Sequence, residues 1–136
     1  MVGSVRYMHS QQVAHRDLKL ENFMMINGIS WDIMLIDFGL SFRWKSSMRE
    51  EVAEAEKGKV IGTPYYISPE ILAHSYSEKC DVWSLGVILY MLVTGTPPFD
   101  GPDDKAIMKN ISLFNYSLNS TPPPTQPRSA SLSAQS

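Results

Sequence analysis

The apolar run from Val82 to Val93, with only Ser84 as a clearly polar interruption, is the feature that every fold open to this chain must accommodate. Ser77 followed by Glu78 offers a helix start, because a hydroxyl can accept an early N–H and a carboxylate suits the positive end of the helix dipole. Gly95 followed by Pro97-Pro98 offers an equally clear stop. The pattern predicts a helix over 78–94. Val82, Trp83, Leu85, Val87, Ile88, Leu89, Met91 and Leu92 make it apolar nearly all round, which predicts the buried centre of a helical layer. About twelve apolar residues are too few to span a bilayer.

Other segments must then supply the cover. Val2, Val5, Tyr7 and Met8 fit one face of a helix from Val2 to about Gln12. No N-cap residue precedes that helix, so the chain is expected to begin inside an element of a longer protein. Phe23–Ile26 and Ile33–Ile36 flank Asn27-Gly28, a pair that favours a tight turn. This predicts a small hairpin, buried on both faces, that delivers Asp37 at its end. Residues 40–67 are polar and irregular, with Ser46, Ser47 and the acidic Glu50, Glu51, Glu54 and Glu56, and they predict a loop. A short helix is expected over Ile71–His74 and another over Asp103–Ile111. From Asn119 the Pro/Ser-rich composition cannot bury apolar surface, so residues 119–136 are expected to be a disordered tail behind one domain at 1–118. The fold class is mainly α, helices plus a small β-hairpin.

Composition bounds the function. With 43% hydrophobic and 19% charged residues the chain is globular in character. A net charge of −2 argues against a nucleic-acid footprint or an anionic-membrane binder. The single Cys80 cannot form an internal disulfide, which suits a reducing compartment. The N-terminal residues lack the apolar core of a signal peptide, and Val2 stands where myristoylation needs Gly. A soluble, cytoplasmic protein is expected. His9 and His74 have no ligand-like neighbours in sequence, so no transition-metal site is indicated.

The chemistry is concentrated in His15-Arg16-Asp17-Leu18-Lys19-Leu20-Glu21-Asn22 and in Asp37-Phe38-Gly39. These residue types suit phosphoryl transfer: a carboxylate to receive a proton, and an amide and a second carboxylate to hold magnesium. Singly, an Asp or Asn in a loop is usually a turn former. In order and at these spacings, however, the two stretches and Ser68-Pro69-Glu70 resemble the catalytic half of a eukaryotic protein kinase.

The resemblance implies a truncated kinase C-lobe with ATP and Mg2+ as cofactors. It implies Asp17 as the proton acceptor and Lys19 as a positive charge against the transferring phosphoryl group. Asn22 and Asp37 are implied as the metal ligands, and Thr63 as a partner of Asp17 and Lys19. His15 would pack under the loop, and Asp81 would hold the loop backbone from beneath, although a carboxylate there also suits a helix N-terminus. Phe38 and Gly39 complete the second motif. Glu70 would pair with an Arg from later helices. Lys19 and Gly62-Thr63-Pro64-Tyr65-Tyr66 resemble serine/threonine rather than tyrosine kinases, which implies a protein Ser or Thr as substrate. Glu78-Lys79-Cys80-Asp81-Val82-Trp83-Ser84-Leu85-Gly86 and Pro97-Pro98-Phe99-Asp100-Gly101 look most like the calmodulin-dependent and calcium-dependent protein kinases.

There are departures from that pattern. Ser68 stands where Ala is commoner, Leu20 where Pro is frequent, and the Gly39–Ser68 segment is longer. Arg16 marks kinases whose activation segment is often ordered by a phosphate; here an acidic residue among Glu50, Glu51, Glu54 and Glu56 is a candidate counter-ion, with a solvated acidic loop as the alternative. No Gly-x-Gly-x-x-Gly and no Val-Ala-x-Lys-like strand occurs in the 136 residues. No Asp-x-Asp-x-Asp-Gly loop occurs either, so calcium or calmodulin regulation is expected only through segments not present here. The readings are a catalytic-lobe fragment inactive alone, a kinase-like interaction module without activity, or an enzyme completed by a separate small lobe.

Overall fold

The computed structural model describes residues 1–27, 32–43, 60–75 and 77–116. In chain order these form α1 (Val2–Ser10), β1 (Val13–Ala14), a 3-10 turn at Leu20–Asn22, β2 (Phe23–Met25), β3 (Ile33–Leu35) and β4 (Phe42–Arg43). A second 3-10 turn at Pro64–Tyr66 follows, then α2 (Pro69–Leu72), α3 (Lys79–Thr94) and α4 (Asp104–Ser112).

The long helix α3 lies where the sequence predicts it. Gly95 adopts φ 77 and closes the helix with its N–H on Met91 O at 2.8 Å. That left-handed conformation suits Gly because it has no Cβ to clash. At the other end, Ser77 Oγ accepts the Lys79 N–H at 3.3 Å. The expectation of burial all round is corrected. Cys80, Asp81, Ser84, Val87 and Ile88 are buried, whereas Val82, Leu89, Leu92 and Val93 are exposed, Val93 by 75%. The described elements cover one flank of α3. The other flank opens on an apolar groove of about 500 Å³ between α1 and α3, lined by Val2, Val5, Val82, Leu85, Leu89 and Leu92 among others.

The main core joins Val5 and Met8 of α1 to Leu18, Tyr66, Val87 and Ile88. Positions 5 and 8 are one helical turn apart, so they share a face. Tyr7 and Val2, expected on that face, are each 70% exposed. A second cluster gathers Ile67, Ile71 and Cys80, and a third gathers Phe99, Ile107 and Ile111 under a Trp83–Phe99 stack at 5.7 Å.

The hairpin is antiparallel with Phe23 opposite Leu35, Met24 opposite Met34 and Met25 opposite Ile33. It is not buried on both faces. Phe23 and Leu35 pack on the core, while Met24, Met25, Ile26 and Met34 are roughly half exposed. A two-stranded ribbon has two faces and the described chain covers one. A second pairing, Val13 with Arg43 and Ala14 with Phe42, is absent from the sequence expectation. Two-residue strands carry no readable period.

Helix α2 begins two residues before the expected Ile71, because Ser68 caps it by accepting the Ile71 N–H at 3.4 Å and Pro69 fits the first turn. Asp103 caps α4 through the Ala106 N–H at 2.8 Å, and Ile107 and Ile111 bury the same face. The expected turn at Gly28, the loop carrying Ser46, Ser47 and Glu50–Glu56, and the tail over 119–136 lie outside the described residues. No helix among the described residues is long and apolar enough to cross a membrane.

Candidate active site

The site rests on a buried carboxylate. Asp81, in the first turn of α3, is 0% exposed. Its Oδ2 accepts the His15 N–H at 2.8 Å and its Oδ1 accepts the Arg16 N–H at 2.9 Å. A buried carboxylate is tolerable only when its lone pairs are occupied, and two backbone amides in tandem meet that need. The helix dipole adds to it.

Above this clamp the chain turns sharply. Arg16 adopts φ 68, a left-handed conformation that costs a non-glycine residue about 1–2 kcal/mol. Its Nε donates to Leu40 O at 2.7 Å and its guanidinium lies 5.5 Å from the Phe42 ring centre. The neighbouring backbone approaches closely at Gly62, which has φ 115. A Cβ there would stand 3.0 Å from Arg16 O.

That close approach brings Thr63 onto Asp17. Thr63 Oγ1 donates to Asp17 Oδ1 at 2.7 Å, and Lys19 Nζ reaches Asp17 Oδ2 at 3.0 Å and Thr63 Oγ1 at 3.4 Å. The hydrogen bond to Asp17, reinforced by the charges of Asp17, Glu21 and Asp37, holds the Lys19 ammonium above its ordinary 10.5 against a smaller opposing effect of burial. Lys19 is therefore a fixed positive charge at neutral pH.

Asn22 is buried, and its Nδ2 donates to Asp17 O at 2.9 Å. Its backbone carbonyl accepts the Ile36 N–H at 2.9 Å, which ties the 15–22 stretch to the residue that follows β3. Asp37 follows at once with φ 62, and its Oδ1 accepts the Gly39 N–H at 3.2 Å. Among the described residues, Asn22 Oδ1 and Asp37 Oδ2 take no hydrogen bond. Two uncommitted hard oxygens fit a magnesium ion, so the residues present suit the metal that ATP chemistry uses.

His15 is fully buried beneath the loop, 5.1 Å from the Phe38 ring in a tilted contact. Its Nε2 pairs with Ile36 O at 3.1 Å, which requires a proton on Nε2, and its buried Nδ1 has no hydrogen-bond partner among the described residues. Phe38 itself is 48% exposed.

The structure thus brings Asp17, Lys19, Thr63, Asn22, His15, Arg16 and Asp81 into one bonded assembly, with Asp37, Phe38 and Gly39 beside it. Glu70 is not in it. Its side chain is exposed on the first turn of α2, where its carbonyl accepts the Ser75 N–H at 2.8 Å.

Sequence reasoning missed three participants. Gly62 permits the contact just described. Ser84 Oγ donates to Tyr66 O at 2.8 Å and holds the 64–66 turn on α3. His9, considered in the sequence only as a metal ligand, has its Nε2 2.8 Å from Asp81 Oδ2. These are 72 positions apart, and no local pattern signals such a pair.

The protein kinase domain family matches residues 1–135. Calcium-dependent protein kinase 4 of Plasmodium falciparum is 41% identical over 123 residues, 88% of this chain and 22% of that protein. Calcium-dependent protein kinase 26 of Arabidopsis thaliana is 40% identical over 125 residues, 91% of this chain and 24% of that protein. Calcium-dependent protein kinase 5 of Plasmodium berghei is 37% identical over 119 residues, 87% of this chain and 20% of that protein. The chain spans between a fifth and a quarter of the length of these relatives. It belongs to the protein kinase family, and within that family it resembles the calcium-dependent protein kinases.

Proposed function

We propose that residues 1–118 form the catalytic-loop lobe of a protein serine/threonine kinase, with the residues from 119 onward as a tail outside it. The observation that carries this reading is the bonded set of Thr63, Asp17 and Lys19, with Thr63 Oγ1 2.7 Å and Lys19 Nζ 3.0 Å from the two oxygens of Asp17.

Asp17 is the group that receives the proton of a substrate hydroxyl. Its carboxylate is held by Thr63 at one oxygen and by Lys19 at the other, so it is aimed. Lys19 faces the developing phosphoryl charge. Asn22 and Asp37 offer the oxygens that would hold magnesium, which with ATP supplies the transferable group and neutralises its charge. Phe38 and Gly39 border that face beside Asp37.

The 136 residues contain no Gly-x-Gly-x-x-Gly to cover the phosphates. Transfer therefore requires a nucleotide-covering lobe from outside them. A calcium response would likewise depend on residues outside them. An intracellular location goes with this reading.

The test is a transfer assay with radiolabelled ATP, magnesium and Ser, Thr and Tyr peptides. It is run on the chain alone and on the chain completed with the N-terminal lobe of a calcium-dependent protein kinase. Label is expected on Ser and Thr peptides only, in the completed form, and lost in Asp17→Asn. Label on Tyr peptides, or no Asp17 dependence, would overturn the assignment.

A further inference from the structure

The apolar groove between α1 and α3 carries a symmetric stripe. Val82, Leu85, Leu89 and Leu92 line it from α3 at successive intervals of three, four and three residues. That spacing sets them in one row along the helix, the seam into which the side chains of a second helix pack. It is also unchanged on reversal. An antiparallel copy of the same stripe places Val82 opposite Leu92 and Leu85 opposite Leu89, so every residue of the row meets an apolar partner.

Gly86 lies beside the midpoint of the stripe and is exposed. A Cβ built on it would meet nothing within 4 Å. The described chain therefore gives no packing reason for a residue that costs a helix interior about 1 kcal/mol. A glycine at that place lets a second backbone come close. Around it, Val82, Leu89, Leu92 and Val93 of α3 and Val2 of α1 are each more than half exposed. A two-fold pairing covers that set twice, on the order of 1,000 Å² in total, which is where specific interfaces begin. Among the described residues that line the groove none is a carboxylate, so its partner is matched by shape and apolar area rather than by charge.

We infer that this groove is the self-association surface of the 136-residue chain, on which a second copy docks antiparallel, α3 against α3, to make a closed dimer. Each copy presents the same face to the other, so the contact is complete at two chains and does not propagate. The inference stands apart from the kinase reading and needs no nucleotide.

Sedimentation equilibrium on the full chain tests it. The wild type is expected at twice the 15.3 kDa chain mass at micromolar concentrations. Leu89→Glu should return it to a single chain, weakening association about a hundredfold or more, because the two-fold buries the carboxylate in both halves. Leu89 is 63% exposed in one chain, so the fold tolerates the change. Leu92→Glu replaces that variant should it lose its cooperative melt. Leu113→Glu, at an equally exposed apolar position outside the groove, should leave the dimer intact. Gly86→Cys reads the register, because the two-fold sets both copies of position 86 within disulfide reach. Mild oxidation should link that variant into a covalent dimer and leave the wild type, whose Cys80 is buried, unlinked.

A dimer that survives both groove substitutions, or that Leu113→Glu also abolishes, overturns the inference. So does a dimer in which Gly86→Cys fails to cross-link, or a series of larger assemblies without a discrete pair. A wild type that stays a single chain overturns it too, and binding of anilinonaphthalene sulfonate then names the occupant. Bound dye leaves the groove to a different protein, and absence of binding means that other residues of this chain fill it.

Discussion

Thr63 Oγ1 lies 2.7 Å from Asp17 Oδ1, across 46 positions of sequence, and ties the 60–67 segment to the 15–22 loop. The same hydroxyl is 3.4 Å from Lys19 Nζ, so one small side chain organises both charged residues. Orientation of Asp17 therefore depends on whether residues 62–67 are docked.

Thr63→Ala removes that tie. In the lobe-completed kinase it should lower kcat by about tenfold, the value of one lost hydrogen bond to a charged group, and Thr63→Ser should retain most activity. Peptide phosphorylation rates check this, and equal rates for the Ala and Ser variants would count against the contact.

Asp81→Ala strips the acceptor from the His15 and Arg16 amides and from His9. Loss of about 2–4 kcal/mol is expected, because buried donors are left without partners. Urea unfolding followed by circular dichroism measures it.

Gly62→Ala tests the close approach. With φ 115 and a Cβ contact of 3.0 Å to Arg16 O, any side chain strains the backbone where it passes the loop. A loss of about 1–3 kcal/mol is expected. An unchanged denaturation midpoint would show that the segment does not sit there.

Cys80 gives a pH signature. Burial pushes its thiol from the ordinary 9.0 up to about 12, so the folded chain keeps a proton that the unfolded chain gives up. Stability should fall as pH rises from 9 towards 12. Lys19, also raised above its ordinary 10.5, adds a loss at the upper end of that range. Cys80→Ala should flatten the first part of the decline. A thiol reagent at pH 8 should label the wild type only after denaturation, and rapid labelling of the native chain would contradict the burial.

Much of the framework is legible in sequence where the cause is local. The start and stop of α3 follow from Ser77 and Gly95, since each satisfies a backbone group within a turn. The hairpin itself follows from two apolar runs separated by turn-forming residues, whereas its register, Phe23 opposite Leu35, does not follow from a turn centred on Asn27-Gly28. Burial is less legible. Leu89 and Leu92 look like core residues by type and are exposed, because burial is set by what else lies against a helix face. Tyr7 fails for the same reason.

The sequence alone determined the order and spacing of the Asp, Lys, Asn and Asp residues proposed for the site, and the family whose order they share. Those are properties of residue type and short spacing. Only the tertiary structure decided how they are held, through Thr63 on Asp17, Gly62 against Arg16, and His9 with two loop amides on Asp81. Such contacts join residues dozens of positions apart, and their geometry exists only once helix packing has brought the segments together.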